Sequence, residues 1–252
     1  MLVANYHTHT KRCKHASGTD REYIEAAIQA GIRILGFSDH MPWVDAPEFV
    51  RSRMDVSELD DYFQSLSDLK TEYRDRIEIH LGFEAEFYPD LMEHQLKVLE
   101  QYPCEYLLLG QHFSSHGPGT SYYGRPFDSA ELLQQYTDLA VQGLERGAFL
   151  YLAHPDLPNF QGDPGCLNAC YEQLIDAALR TDTPLEINVL GLRGGRNYPN
   201  PDFVALAARR GCRMIVGVDA HAPEQLLSAE LIAQAQAMAT DLGVTPEETL
   251  PL

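Results

Sequence analysis

Residues 214–221 read Met-Ile-Val-Gly-Val-Asp-Ala-His: a short apolar run that ends in two metal-ligand side chains two positions apart. In an extended chain, positions i and i+2 face one side, about 6.5–7 Å apart along the strand. Asp219 and His221 can therefore reach a common ion. The same design recurs upstream. Run 2–7 ends in His7-Thr8-His9, run 32–37 continues into Ser38-Asp39-His40, and run 77–83 into Glu84-Ala85-Glu86. Run 106–109 leads to Gly110-Gln111-His112, run 149–153 to His154-Pro155-Asp156, and an apolar run at 184–187 completes seven strands.

Amphipathic stretches at 20–30, 56–73, 91–101, 129–145, 166–180, 201–210 and 222–241 alternate with these runs and read as helices. Thr19-Asp20 and Asp128-Ser129 supply N-cap chemistry, and Gly31 and Gly211 stand just past helix ends. Seven β–α units with no break in composition predict one α/β domain over 1–252 with a parallel sheet. A doubly wound open sheet is the alternative. Residues 117–126 and 191–201, rich in Pro and Gly, read as loops.

The 252 residues are 44% hydrophobic and 22% charged, as in ordinary globular proteins, and no apolar window is long enough to cross a bilayer. The N-terminus has no basic region followed by an apolar stretch, so a cytoplasmic protein is expected. Cys13, Cys104, Cys166, Cys170 and Cys212 are an odd set without zinc-knuckle spacing, and reduced thiols are expected. A net charge of −18 argues against nucleic-acid binding, which depends on Lys and Arg neutralising phosphates. Nothing in the sequence fixes an oligomeric state.

The chain has ten histidines. His7, His9, His15, His40, His112, His154 and His221 stand at or just beyond the C-terminal ends of the strands, joined there by Asp39, Glu84, Glu86, Asp156 and Asp219. That rim is where a β/α barrel builds its active site. Two carboxylates on one strand face, as in Glu84 and Glu86, repel unless a cation sits between them or one is protonated. Solvated surface histidines would show no preference for strand ends, so the pattern predicts metal binding. His80 and His94 read as structural or exposed, and His116 as an ordinary loop residue.

HTHTKRCKHASG, GFSDH, GFEAEF, HPD, EINVLGLRGGRNYP and GVDAH, in that order, resemble the polymerase-and-histidinol-phosphatase (PHP) superfamily, and within it the monofunctional bacterial histidinol-phosphatases. The stretch 49–73, with Arg53-Met54, resembles that subgroup too. The resemblance implies a distorted (β/α)7 TIM-like barrel holding three divalent ions. His7, His9, Glu84 and Asp219 would hold the first. Glu84 would bridge to a second, completed by His112 and His154, and His15, His40 and His221 would hold the third. Glu86 has no ligand role in this mapping. The chain departs from the pattern in Gly-Gln-His at the fourth strand, in residues 114–126, and in the lack of a basic residue after Asp156.

Three divalent ions against two carboxylate ligands leave about +4, enough to bind a phosphate dianion on an acidic chain. A hydroxide bridging two ions would attack phosphorus, with no protein nucleophile. Arg193 and Arg196 are candidates to grip phosphate oxygens, Asp156 or Glu86 to pair with a substrate ammonium, and Asp156 to protonate the leaving oxygen. Mixed imidazole and carboxylate ligation suits zinc, manganese or iron. The reading is a phosphomonoesterase for a small phosphorylated substrate, L-histidinol phosphate first, a nucleotide or sugar phosphate second. A non-catalytic metal-binding regulator would have lost ligands, and a metal-dependent amidohydrolase would want a lysine on a barrel strand, where none occurs.

Overall fold

β-branched and aromatic residues favour pleated, half-buried segments, and the apolar runs pair side by side and in parallel. In the computed structural model, which describes residues 1–44 and 52–252, β1 (Ala4–Asn5), β2 (Ile34–His40), β3 (Glu78–Ala85) and β4 (Tyr106–Leu109) form one sheet in that order. A second pair is β5 (Leu185–Asn188) with β6 (Met214–Gly217). Leu152 joins the two sheets, bridging to Leu109 on one side and Leu185 on the other. A parallel bridge between Thr8 and Ala220 brings the last strand back to the first. There His9 N–H donates to the Ala220 carbonyl at 2.9 Å and Ala220 N–H to the His7 carbonyl at 3.2 Å. The circuit is the TIM-like barrel expected. Its distortion falls at 149–153, a predicted strand reduced to the bridges of Leu152 and a hydrogen bond from Leu150 N–H to the Leu107 carbonyl at 2.8 Å.

Helices α1 (Asp20–Ala30), α2 (Leu59–Tyr73), α3 (Met92–Leu99), α4 (Ala130–Arg146), α5 (Pro164–Thr181), α6 (Val189–Gly194), α7 (Pro201–Arg210) and α8 (Ala229–Thr240) fill the connections. Thr19 and Glu22 form a capping box at the start of α1, and Ser129 caps α4. Three expectations change, the first being that the predicted 56–73 helix opens as a 3-10 turn, Val56–Glu58, before α2. The predicted 191–201 loop overlaps α6, which starts because the Asn188 side chain accepts from Gly191 N–H. The predicted 222–241 helix divides into a 3-10 turn, Pro223–Leu227, and α8. Of the 49–73 stretch, residues 49–51 lie outside the described residues. The five cysteines are free, and among the described residues no helix is long and apolar enough to cross a membrane.

Alternation along the strands sorts side chains into two cores. On β4, Leu107 and Leu109 pack with the helices, whereas Tyr106 and Leu108 join Tyr6, Tyr151 and Ile215 in a separate cluster. Tyr106 Oη lies 2.8 Å from the Tyr6 carbonyl and 3.0 Å from the Phe37 carbonyl. The Tyr6 hydroxyl accepts from Leu250 N–H at 3.0 Å, tying the C-terminal end to β1. Beyond these tyrosines the same strand face turns polar, with Glu84 on β3, Glu186 and Asn188 on β5, and Asp219 after β6. Replacing Tyr106 with Phe would strand buried carbonyls, so the urea midpoint should fall by the equivalent of about 1–3 kcal/mol. An unchanged midpoint would contradict this placement.

Candidate metal centre

Glu84 lies at the middle of the polar end of the barrel and is almost fully buried. Its Oε1 sits 2.7 Å from His154 Nε2 and 3.3 Å from His112 Nε2. Its Oε2 sits 3.0 Å from His40 Nδ1 and 3.5 Å from Nε2 of both His7 and His9. Gly110 leaves the room required, because a Cβ there would collide with the Glu84 carboxylate. Asp219 Oδ1 is 3.0 Å from His9 Nε2 and 3.4 Å from His7 Nε2. On the cleft side, His15 Nε2 and His221 Nε2 are 3.0 Å apart, and the His15 and His40 rings stack at 5.3 Å. Folding therefore brings together all nine residues expected to bind metal: His7, His9, His15, His40, Glu84, His112, His154, Asp219 and His221.

The arrangement fits cations. His7 Nε2, both ring nitrogens of His9, Glu84 Oε2, His154 Nδ1 and Asp219 Oδ1 are buried without a hydrogen-bond partner. Buried polar atoms are rarely left so unless an ion or water satisfies them. The second nitrogens are held instead. His7 Nδ1 meets Glu186 Oε1 at 2.8 Å, His112 Nδ1 meets Glu86 Oε1 at 3.3 Å, His15 Nδ1 meets the Cys13 carbonyl at 2.8 Å, and His221 Nδ1 meets the Asp219 carbonyl at 3.0 Å. Each acceptor fixes the proton on Nδ1 and leaves the Nε2 lone pair for a metal. His154 (φ 30°) and Asp219 (φ 55°) take left-handed backbone conformations costly for non-glycine residues. Such strain concentrates at functional sites.

Without ions the charges are frustrated. Burial disfavours charge on His7, yet Asp219, Glu186 and Glu84 outweigh it and raise its pKa well above the ordinary value. His9 is raised likewise, against burial, by Asp219 and Asp39. Burial, then the neighbouring His9, lowers His40 well below its ordinary range and His221 to about 3. Protons on His7 and His9 thus occupy positions that a cation would take. Both must be released before the rings bind metal, so metal affinity should weaken as pH falls through their raised pKa values, above the ordinary imidazole range. Titration calorimetry in buffers of differing ionisation heat would detect the released protons, and uptake without proton release would refute the account.

The substrate-facing expectations are partly corrected. Glu86 does not face the cleft as a substrate group. Its carboxylate is taken up by Arg53 at 2.7 and 3.0 Å, by Trp43 Nε1 at 3.1 Å and by His112. Arg193 turns away to the Ser228 hydroxyl and is exposed, whereas Arg196 lines the cleft beside Tyr198. Asp156 is buried, accepts from Asn200 N–H and is absent from the cleft lining, although burial pushes its carboxyl up to about 7.

Sequence reading missed Glu186. Its two oxygens accept from His7, from His154 N–H at 2.9 Å and from Asn188 Nδ2 at 2.8 Å. Asn188 also donates to Asp219 Oδ2 at 3.1 Å. The signal was available: Glu186 and Asn188 repeat the i, i+2 polar pairing seen at the other strand ends. Glu186→Ala should weaken metal binding about 10–100-fold, measured by competition with a chelator, while the protein stays folded. Unchanged affinity would remove Glu186 from the site.

Buried imidazoles and carboxylates at the C-terminal rim of a TIM-like barrel define a metal-dependent enzyme. The PHP domain profile matches residues 5–189, and the chain belongs to that family. It is 33% identical over 243 residues to a protein described as a probable histidinol-phosphatase from Deinococcus radiodurans, covering 89% of this chain and 88% of that one. A histidinol-phosphatase from Bacillus subtilis is 31% identical over 107 residues, 40% of each chain. Among solved structures, the histidinol phosphate phosphatase of Lactococcus lactis, complexed with zinc, L-histidinol and phosphate, superimposes with a TM-score of 0.75. The match has 18% identity and covers 100% of this chain and 99% of that one.

Proposed function

We propose that this chain is a metal-dependent phosphomonoesterase that hydrolyses L-histidinol phosphate to L-histidinol and phosphate. The observation that carries the reading is the convergence of nine donor residues under one cleft of about 450 Å³, a size suited to a small metabolite. The substrate follows from the near full-length likeness to the Deinococcus radiodurans protein. In this reading His7, His9, Glu84 and Asp219 hold one divalent ion, Glu84 with His112 and His154 a second, and His15, His40 and His221 a third.

When bound, the ions supply Lewis-acid activation of water and neutralise charge on the phosphoryl oxygens. The chain does the rest. Glu186 and Glu86 hold the His7 and His112 rings. Arg196 offers a guanidinium to the phosphoryl oxygens. Phe113, Tyr122, Tyr198 and Leu190 give the leaving group an apolar, aromatic wall.

Phosphate release should be fastest with L-histidinol phosphate in a panel that includes nucleotide and sugar phosphates. It should stop on chelation and return with zinc, manganese or iron. His9→Ala and Glu84→Ala should abolish turnover with the fold retained. Wild-type rates in either variant would refute the site, and a better rate on a sugar phosphate would reassign the substrate.

A further inference from the structure

Residues 113–126, between the end of β4 and α4, contribute Phe113 and Tyr122 to the cleft wall, but the mechanism above gives their one arginine, Arg125, no role. They are a built element. Phe113 and Tyr122 form an antiparallel bridge, and Ser114 N–H donates to the Ser121 carbonyl at 3.0 Å. Tyr123 N–H donates to the carbonyl of His112, and Asn159 N–H to the carbonyl of Tyr123, both at 2.9 Å. The segment is thus stitched to the strand end that carries His112 and to the turn after His154. Arg125 N–H closes a turn on the Tyr122 carbonyl at 3.1 Å.

That anchoring brings Arg125 to the same cleft as His112, His154 and Asp219. Among the described residues, Arg125 and Arg196 are the cationic side chains, histidine aside, that line it. Several guanidinium groups elsewhere are engaged: Arg12 pairs with Asp20, Arg21 with Glu72, Arg76 with Glu25 and Arg180 with Glu145. No such side-chain partner of Arg125 is found among the described residues, and it is exposed on a chain of net charge −18. Without such a partner the guanidinium is free to pair with an anion, and the ions of the proposed function would draw one into this cleft. Tyr122, three residues before Arg125, lines the same cleft as Arg125 and Arg196, which come from two separate segments.

We propose that Arg125 is a substrate-binding residue that contacts the phosphoryl group alongside Arg196. Residues 113–126 would then supply the second guanidinium of an anion clamp. The assignment rests on the phosphomonoesterase reading, but it can be tested apart from it.

Binding of inorganic phosphate to the metal-loaded protein should be measured by calorimetry for wild type, Arg125→Ala and Arg125→Lys. Loss of a charge-assisted hydrogen bond at an exposed position should weaken phosphate binding about tenfold in the alanine variant. The lysine variant should recover part of this, since it keeps the charge without the planar fork. Bound metal should be unchanged, as expected if Arg125 does not act through His112. With L-histidinol phosphate the loss should fall mainly on KM, with kcat little changed. Phosphate affinity in Arg125→Ala within twofold of wild type, or a loss of metal in parallel with it, would overturn the proposal. Weakened phosphate binding, with no ester hydrolysed by the wild type, would overturn the phosphatase reading and leave Arg125 as the anion contact.

Discussion

A single buried carboxylate organises this molecule. Glu84 lies within 3.5 Å of ring nitrogens from His7, His9, His40, His112 and His154, residues drawn from three other strand ends and the turn after Leu152. So many imidazoles cannot all be protonated around one carboxylate, and buried lone pairs without donors are costly. Burial raises the Glu84 pKa, but the surrounding imidazoles overcome it and hold the carboxyl well below its ordinary range. Divalent ions resolve both problems, replacing protons and satisfying lone pairs together. The barrel supplies the geometry and leaves the charge to be completed.

The other constraints follow from keeping those rings aimed inward. The closure of β6 onto β1 at Thr8 and Ala220 seats His7 and His9 beside Asp219. Glu186 reaches across to lock His7, and Gly217 makes this possible because a Cβ there would collide with the Glu186 carboxylate. On the far side, Arg53 lies 3.9 Å over the Trp43 ring and grips Glu86 with both terminal nitrogens, which orients His112. Stability and function thus draw on the same hydrogen bonds, as second-layer residues of metal sites commonly do.

Much of this was legible in the sequence because strand periodicity is simple. A ligand-type residue at the end of an apolar run points to the rim whatever the loops do, and the family resemblance added His15, in the loop after Cys13, to the donors that converge. What was not legible depends on side-chain direction. Arg193 and Arg196 are three residues apart, but α6, unforeseen within a Gly-rich stretch, sends Arg193 to Ser228 and Arg196 to the cleft. Glu86 has the strand parity of Glu84, yet Arg53 and Trp43, distant in sequence, capture it. Residues 113–126 gave no periodic signal, and their place over the cleft depends on hydrogen bonds to His112 and Asn159.

Membership of the PHP-domain family and the observed donor set agree on a centre of several ions. Metal stoichiometry tests this most directly. Elemental analysis of the protein after loading and exhaustive dialysis at neutral pH should find three divalent ions per chain. One ion or none, in protein that is fully folded, would contradict the account.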